Sequence, residues 1–127
     1  MAKSRPRQVL TGQSTQNEQI RCDLEFPRFQ RELEEMESGQ LERVFACIDK
    51  IGQMTWAQVL ATSSKKQKRG LNWEVLDQRT TSGAVIASIR VSEKLRARVM
   101  RQGVFMRFIS IHPDHDSAYK ERGEENL

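Results

Sequence analysis

Hydrophobic residues recur at two different periods along this chain, and the change of period divides it into a helical first half and a strand-rich second half. Over residues 20–26, apolar and polar residues alternate, which is typical of a β-strand with one buried face. Pro27 ends this pattern and suits the first turn of a helix. Apolar residues then recur at helical spacing over residues 29–48, with a predicted break near Gly39 and a stop at Gly52.

A short third helix is predicted from the residues that begin it. Thr55 suits the N-cap position, and Gln58, three residues later, completes a capping box in which each side chain bonds the backbone N–H of the other residue. We therefore expect a helix over residues 56–61.

Four β-strands are predicted in the second half, over residues 71–76, 84–91, 95–100 and 104–111. The first strand would bury Leu71, Trp73 and Val75 on one face. In the last two strands, which a tight loop at residues 102–103 joins as a hairpin, the apolar face would carry Leu95, Ala97, Val99, Met106 and Phe108.

The order of these elements predicts an α+β fold, with the N-terminal strand and the helices packed on one face of a small curled antiparallel sheet. Residues 1–19 are polar and without periodicity, which predicts a mobile polar tail. Residues 20–120 are expected to form a single α+β domain, and residues 121–127 a frayed polar tail.

Length and composition limit the class of protein. The 127 residues are enough for one domain with its own core. No stretch approaches the roughly 20 apolar residues that span a bilayer, and residues 1–19 lack the apolar segment of a secretory signal. Cys22 and Cys47 lack the CxxC spacing of a zinc site and are predicted to be small apolar residues. We therefore expect a cytoplasmic protein with no membrane contact, no metal and no small-molecule cofactor.

Charge is distributed unevenly along the chain. Residues 18–49 hold nine acidic residues and four arginines, a net charge of −5, whereas residues 61–107 hold eleven basic and three acidic residues, a net charge of +8. This asymmetry favours contact with RNA, with the ribosome or with an acidic protein, although two solvated faces that attract each other within the fold would also explain it. The predicted loop at residues 63–70 adds four candidate nucleic-acid contacts: Lys65, Lys66, Lys68 and Arg69.

The predicted hairpin gives this basic half a specific surface. A two-residue loop at 102–103 would place Arg98 opposite Arg107 and Arg96 opposite Ile109, with all three arginines on the solvated face. Like charges directly opposite each other destabilise a pair of strands. A phosphate site would account for that arrangement, because guanidinium groups bind phosphate oxygens in bidentate fashion. The other interpretation is a solvated sheet surface covered by arginine stems.

Both histidines of the chain follow the last predicted strand, in the cluster at residues 112–119. His112 and His115 are candidates for general acid or base catalysis beside the arginines, with Tyr119 close by. A metal site is not expected, because contiguous residues rarely converge on one ion. A purely structural interpretation also remains, in which Asp114 and Asp116 cap a turn and Tyr119 closes the edge of the core.

Two segments resemble the RelE/ParE superfamily of bacterial toxins, which includes the HigB-like proteins. Residues 89–96, Ile-Arg-Val-Ser-Glu-Lys-Leu-Arg, resemble the R-V-G-x-x-R stretch of that superfamily, and residues 109–119 resemble its closing strand with a His-containing turn and a Tyr. The resemblance spans about residues 20–120. The chain departs from the pattern in a longer gap between Arg90 and Arg96, in an acidic closing turn and in the long insert at 63–70.

The resemblance implies an mRNA interferase, an endoribonuclease that drives the 2′-hydroxyl of RNA onto the adjacent phosphate and leaves a 2′,3′-cyclic phosphate. The implied partners are mRNA, the ribosome and an acidic antitoxin that covers the basic face. Two alternatives stay open: a non-enzymatic phage or plasmid module that docks on a host protein or nucleic acid, and the gyrase-poisoning branch of the same superfamily. The residues implied to bind phosphate are Arg90, Lys94, Arg96 and Arg98, with Arg96 also stabilising developing charge, and those implied to transfer protons are His112, His115 or Tyr119.

Overall fold

Five strands form one sheet and four helices pack against it in residues 15–62 and 70–121, the parts of the chain that the computed structural model describes. In chain order the elements are β1 (Arg21–Asp23), α1 (Pro27–Glu34), α2 (Ser38–Ile51), α3 (Trp56–Ala61), β2 (Glu74–Arg79), β3 (Val85–Arg90), β4 (Arg96–Gln102), β5 (Phe105–His112) and α4 (His115–Lys120). None of the helices in these ranges is long and apolar enough to cross a membrane.

The predicted α+β class is confirmed, and the sheet has the strand order β1-β5-β4-β3-β2. Strands β2 to β5 form an antiparallel meander, as the sequence predicted. Strand β1 lies parallel to β5 at the other edge, so that the sheet is mixed. Residues 15–19, which the sequence assigned to the polar tail, include an isolated bridge from Gln19 to Thr55 at the start of α3.

The first half of the chain follows its hydrophobic pattern closely. Pro27 opens α1, and the capping box of α3 is present, with the Thr55 hydroxyl accepting from the Gln58 N–H at 3.2 Å and the Gln58 side chain accepting from the Thr55 N–H at 2.8 Å. The predicted break at Gly39 is wrong. The chain turns between α1 and α2 at residues 35–37, and Gly39 lies in the first turn of α2, because the extended backbone of Glu37 already starts that helix.

The main core lies between helices α1 to α3 and one face of the sheet, which we call the helix face. Phe29 packs on Phe108 with ring centroids 5.3 Å apart, and Trp56 meets Trp73 edge-on at 5.1 Å. The hairpin residues predicted for this face are all buried on it: Leu95, Ala97, Val99, Met106 and Phe108.

Strand β2 buries the opposite set of side chains from the one predicted. Leu76 is 1% exposed and Gln78 is buried, whereas Val75 is 55% exposed. The strand starts three residues later than predicted, because the positive φ of Asn72 turns the backbone just before it. Trp73 therefore reaches the helix-face core from the loop and not from the strand.

The opposite face of the sheet is also covered, and we call it the α4 face after the helix that packs there. It carries a second apolar cluster, made of Leu76, Ile86, Met100 and Ile109. Buried polar side chains lie on the same face: Gln78, Ser88, Arg98, Ser110 and His112. The prediction that this face of the hairpin is solvated is therefore wrong. Helix α4, which the sequence analysis did not predict, contacts both β4 and β5 here.

The register of the β4–β5 hairpin also differs from the prediction. The turn lies at residues 103–104, one residue later than expected, and Gly103 adopts a φ of +58°, which its missing side chain permits. Farther from the turn, an extra residue in β5 shifts the pairing. As a result Arg98 pairs with Ser110, and Arg107 pairs with Met100.

Candidate functional site

Two arginines face each other across strands at the end of the sheet. Arg90, the last residue of β3, pairs with Arg96, the first residue of β4, and Arg96 pairs on its other side with His112 of β5. Burial and the charge of Arg90 lower the pKa of Arg96. The predicted pairing of Arg98 with Arg107 does not form, and the like-charge pair in the structure is a different one, Arg90 of β3 with Arg96 of β4. An anion that contacts both groups would relieve their repulsion.

The Arg96 side chain is held by the turn between β3 and β4. Its Nη1 atom donates to the backbone carbonyls of Ser92, Glu93 and Leu95 at 2.9, 3.1 and 3.2 Å. Its Nε atom is buried and has no hydrogen-bond partner in the described part of the chain. The Arg96 guanidinium is therefore fixed in position. Lys94 is exposed in the same turn.

An acid–base cluster joins α4 to the start of β2. Tyr119 donates to Glu74 Oε2 at 2.5 Å, and His115 Nε2 lies 3.7 Å from Glu74 Oε1. The His115 and Tyr119 rings are 4.3 Å apart, since positions four residues apart share one side of a helix. Asp114 caps this helix by accepting from the Ser117 N–H at 2.8 Å. One carboxylate, one imidazole and one phenol therefore meet at a surface where Tyr119 is 41% exposed.

The cluster perturbs its own titration. Although burial acts against it, the hydrogen bond from Tyr119 and the charge of His115 lower the pKa of Glu74. Burial and the bond to Glu74 raise the pKa of Tyr119 to about 12. Glu74 also acts electrostatically on Arg96, where it opposes the lowering of the arginine pKa. The basic pair and the acid–base cluster are thus parts of one site, the α4-face site, made of Glu74, Arg90, Arg96, His115 and Tyr119.

His112 lies beneath this site and not in a turn after the last strand. It is the last residue of β5 and only 4% exposed. Its Nε2 is 2.7 Å from Ser110 Oγ and its Nδ1 is 3.1 Å from Ser117 Oγ. Burial, and then the charge of Arg98, lower the pKa of His112, so the imidazole is neutral at pH 7. Of the two histidines, only His115 reaches solvent.

The three hairpin arginines share one face of the sheet, as expected, but they do not form a joint phosphate site. Arg98 is fully buried, with Nε donating to Gln78 Oε1 at 2.8 Å and Nη1 donating to Ser110 Oγ at 3.1 Å. Arg107 pairs with Asp23 of β1, with 2.9 Å between Nε and Oδ2. Only Arg96 lies in the α4-face site.

The remaining candidate contacts are placed as follows. Lys94 is exposed beside the Arg90–Arg96 pair, and the four basic residues predicted in the loop at 63–70 lie outside the described residues: Lys65, Lys66, Lys68 and Arg69. Within residues 15–62 and 70–121, no group of three or more His, Cys, Asp or Glu side chains is arranged to hold a metal ion.

The sequence carries no signal for the carboxylate of the site. Glu74 was visible as a polar position in a predicted strand, but nothing in the pattern linked it to residues 115 and 119. Gln78 and Ser110 carried no signal at all, because the sheet pairing and α4 bring them together. Comparison of the chain with protein-family models, with curated proteins and with solved structures gave no match.

Proposed function

We propose that this protein binds RNA at the α4-face site and cleaves it by transesterification, as an mRNA interferase. The observation that carries the proposal is the contact of Glu74, His115 and Tyr119 beside a cross-strand pair of arginines. Groups that transfer protons and groups that bind phosphate are thereby brought to one exposed surface.

The arginine pair supplies the phosphate contact. Arg90 and Arg96 lie directly opposite each other, and a phosphate bound to both would reduce the repulsion between them. Guanidinium groups also stabilise the charge that grows on the phosphate oxygens during displacement. Because the backbone carbonyls of the turn hold Arg96 in place, little ordering is needed when the substrate arrives.

The imidazole and the phenol would divide the proton transfers. His115 takes the proton of the 2′-hydroxyl as the 2′-oxygen bonds to phosphorus, and Glu74 stabilises the imidazolium that forms. The bond from phosphorus to the 5′-oxygen breaks, and Tyr119 protonates the departing oxygen, since a phenol with a pKa of about 12 keeps its proton at pH 7. The products are a 2′,3′-cyclic phosphate and a 5′-hydroxyl, and the His115 proton returns to Tyr119 through solvent.

RNA is the preferred substrate class because its own 2′-hydroxyl serves as the nucleophile in this scheme. The net charge of +8 over residues 61–107 favours a polyanion. The resemblance to the RelE/ParE superfamily supports mRNA on the ribosome as the target and an acidic antitoxin as the partner.

A second candidate is a binding module that docks on RNA or on an acidic protein and cleaves nothing. It is favoured by the fact that the charged groups of the site already contact each other: Tyr119 and His115 engage Glu74, and the Nη1 of Arg96 engages backbone carbonyls. Such a module would keep its affinity when the proton-transfer groups are replaced.

The test uses purified full-length protein and a 5′-labelled single-stranded RNA, with the cyclic phosphate identified by its resistance to phosphatase until acid opens it. His115→Gln should lower the cleavage rate about 10²–10⁴-fold, and Arg96→Ala about 10²–10³-fold. Arg21→Ala removes one exposed positive charge from β1 and should cleave like the wild type. Binding of RNA without cleavage by the wild type would establish the second candidate as an RNA-binding module. Neither binding nor cleavage would exclude the RNA function and leave docking on an acidic protein.

A further inference from the structure

Helix α4, which carries two groups of the site, has little hydrophobic anchorage. It is six residues long, and Ala118 is its one buried side chain. A helix this short is not stable alone in water. Its position over the sheet must therefore come from other contacts, and the buried ones are polar.

Gln78 of β2 joins α4 to the buried arginine. Its Nε2 donates to the backbone carbonyls of Ala118 at 2.8 Å and Tyr119 at 3.0 Å, and its Oε1 accepts from Arg98 Nε at 2.8 Å. The orientation of the amide is settled by these partners, because Arg98 only donates and the carbonyls only accept. Every bond would be lost if the amide were reversed.

The same network reaches α4 by a second route. Arg98 donates to Ser110, Ser110 is bonded to His112, and His112 is bonded to Ser117 of the helix. Gln78, Arg98, Ser110 and His112 are all buried. A closed ring of hydrogen bonds therefore holds helix α4 to strands β2, β4 and β5.

We propose that Gln78 is a positioning residue: its amide, oriented by Arg98, sets where α4 presents His115 and Tyr119 to the substrate. The expected effect on kcat rests on the proposed RNA cleavage. The expected effect on the position of α4 is independent of it, because Gln78 contacts the backbone of α4 and not the His115 or Tyr119 side chains.

The variant Gln78→Glu isolates this role. A glutamate at 78 keeps an oxygen for Arg98, so that the buried guanidinium remains paired. It replaces the amide donor by a second oxygen, which repels the carbonyls of Ala118 and Tyr119. The sheet should therefore fold while α4 loses the contacts with Gln78 and keeps the His112–Ser117 bond and the ion pairs of Glu121 with Arg28 and Arg98. Gln102→Glu is the matched control, since it makes the same chemical change on an exposed position of β4.

Tyr119 reports the position of α4 without any need for activity. It is the only tyrosine in the chain, so tyrosine labelled with ¹³C in the ring gives a single NMR signal. In the wild type and in Gln102→Glu, the signal should be displaced from that of the unfolded chain by the contacts with Glu74 and His115. In Gln78→Glu it should move toward the unfolded position, with circular dichroism losing no more than the contribution of the six residues of α4.

The kinetic measurement separates positioning from binding. A misplacement of about 1 Å costs on the order of 10²-fold in rate, so Gln78→Glu should lower kcat by about that factor while its affinity for RNA stays equal to that of Gln102→Glu. An unchanged Tyr119 signal in Gln78→Glu would overturn the inference, as would equal kcat values for the two variants. If the wild type does not cleave RNA, the proposed function fails, and the Tyr119 signal still decides whether Gln78 holds α4.

Discussion

Replacing the buried Arg98 should strongly destabilise the fold. The alternating pattern of the hairpin placed Arg98 on a solvated face, where its replacement would change stability little. The guanidinium donates to Gln78 at 2.8 Å and to Ser110 at 3.1 Å, and its Nη1 lies 3.8 Å from a carboxylate oxygen of Glu121. Hydrogen bonds from a charged donor contribute about 1.5–3 kcal/mol each. Part of this is returned when a cation no longer has to be buried, but Gln78 and Ser110 lose their donor, which costs about 1–3 kcal/mol for each buried group. We expect Arg98→Ala to lower the free energy of unfolding by about 2–5 kcal/mol.

Urea unfolding followed by tryptophan fluorescence measures the effect, because the two tryptophans of the chain pack against each other in the core. Arg98→Met separates the two contributions. It fills more of the space but leaves Gln78 and Ser110 without their donor, so its loss should be smaller than that of Arg98→Ala and still above about 1 kcal/mol. Arg21→Ala, on the exposed side of β1, should stay within about 0.5 kcal/mol of wild type. A loss below that value for Arg98→Ala would refute the network as a source of stability.

Three further outcomes follow from the charges of the site. His112 has a lowered pKa when folded and a value near 6.5 when unfolded, so the unfolded state binds more protons and stability should fall as pH drops below 6.5. Urea unfolding between pH 7.5 and 5 should show this fall, and His112→Gln should remove it. Carboxylates with lowered pKa values do not interfere, because they change stability only below about pH 4.5. RNA affinity should fall with salt at a log–log slope of about −1.4 if Arg90 and Arg96 each contact one phosphate of a single strand, and of about −2.1 if Lys94 also does. Fluorescence anisotropy measures this slope, and affinity independent of salt would argue against phosphate contact there. Tyr119→Phe should lower the RNA cleavage rate about 10²-fold or more if the phenol is the general acid, and a rate equal to wild type would assign the proton to another group.

The sequence predicted elements whose determinants are local. The capping box of α3 depends on Thr55 and Gln58 alone, and it formed as expected. The alternation of Ala97, Val99, Met106 and Phe108 was long enough to give the buried face of the hairpin correctly. Where the residues that determine an element all lie within one helical turn or one run of alternating residues, tertiary contacts did not change the predicted element.

The rest depended on contacts between residues far apart in the sequence. Arginine is rarely buried without partners, so a pattern argument places Arg98 in water. Its burial is tolerable because partners distant in the sequence meet it, among them Gln78, Ser110 and Glu121. The phase of β2 changed because Asn72 takes a positive φ, which composition does not reveal. Helix α4 shows no hydrophobic period because it buries a single alanine, so it was interpreted as a turn.

The parallel pairing of β1 with β5 has a consequence for the order in which the chain can fold during synthesis. Asp23 lies beside Arg107, 84 residues later in the chain. Contacts of such long range slow folding, because a large loop must close before they form. The N-terminus of a nascent chain leaves the ribosome first. Helix α1 therefore emerges long before β5, although Phe29 of α1 packs on Phe108 of β5 in the folded protein. The helical part of the chain must therefore stay soluble without its sheet until the final hairpin appears, and we expect the net charge of −5 over residues 18–49, which lies mostly outside the helices, to limit association of nascent chains in that interval.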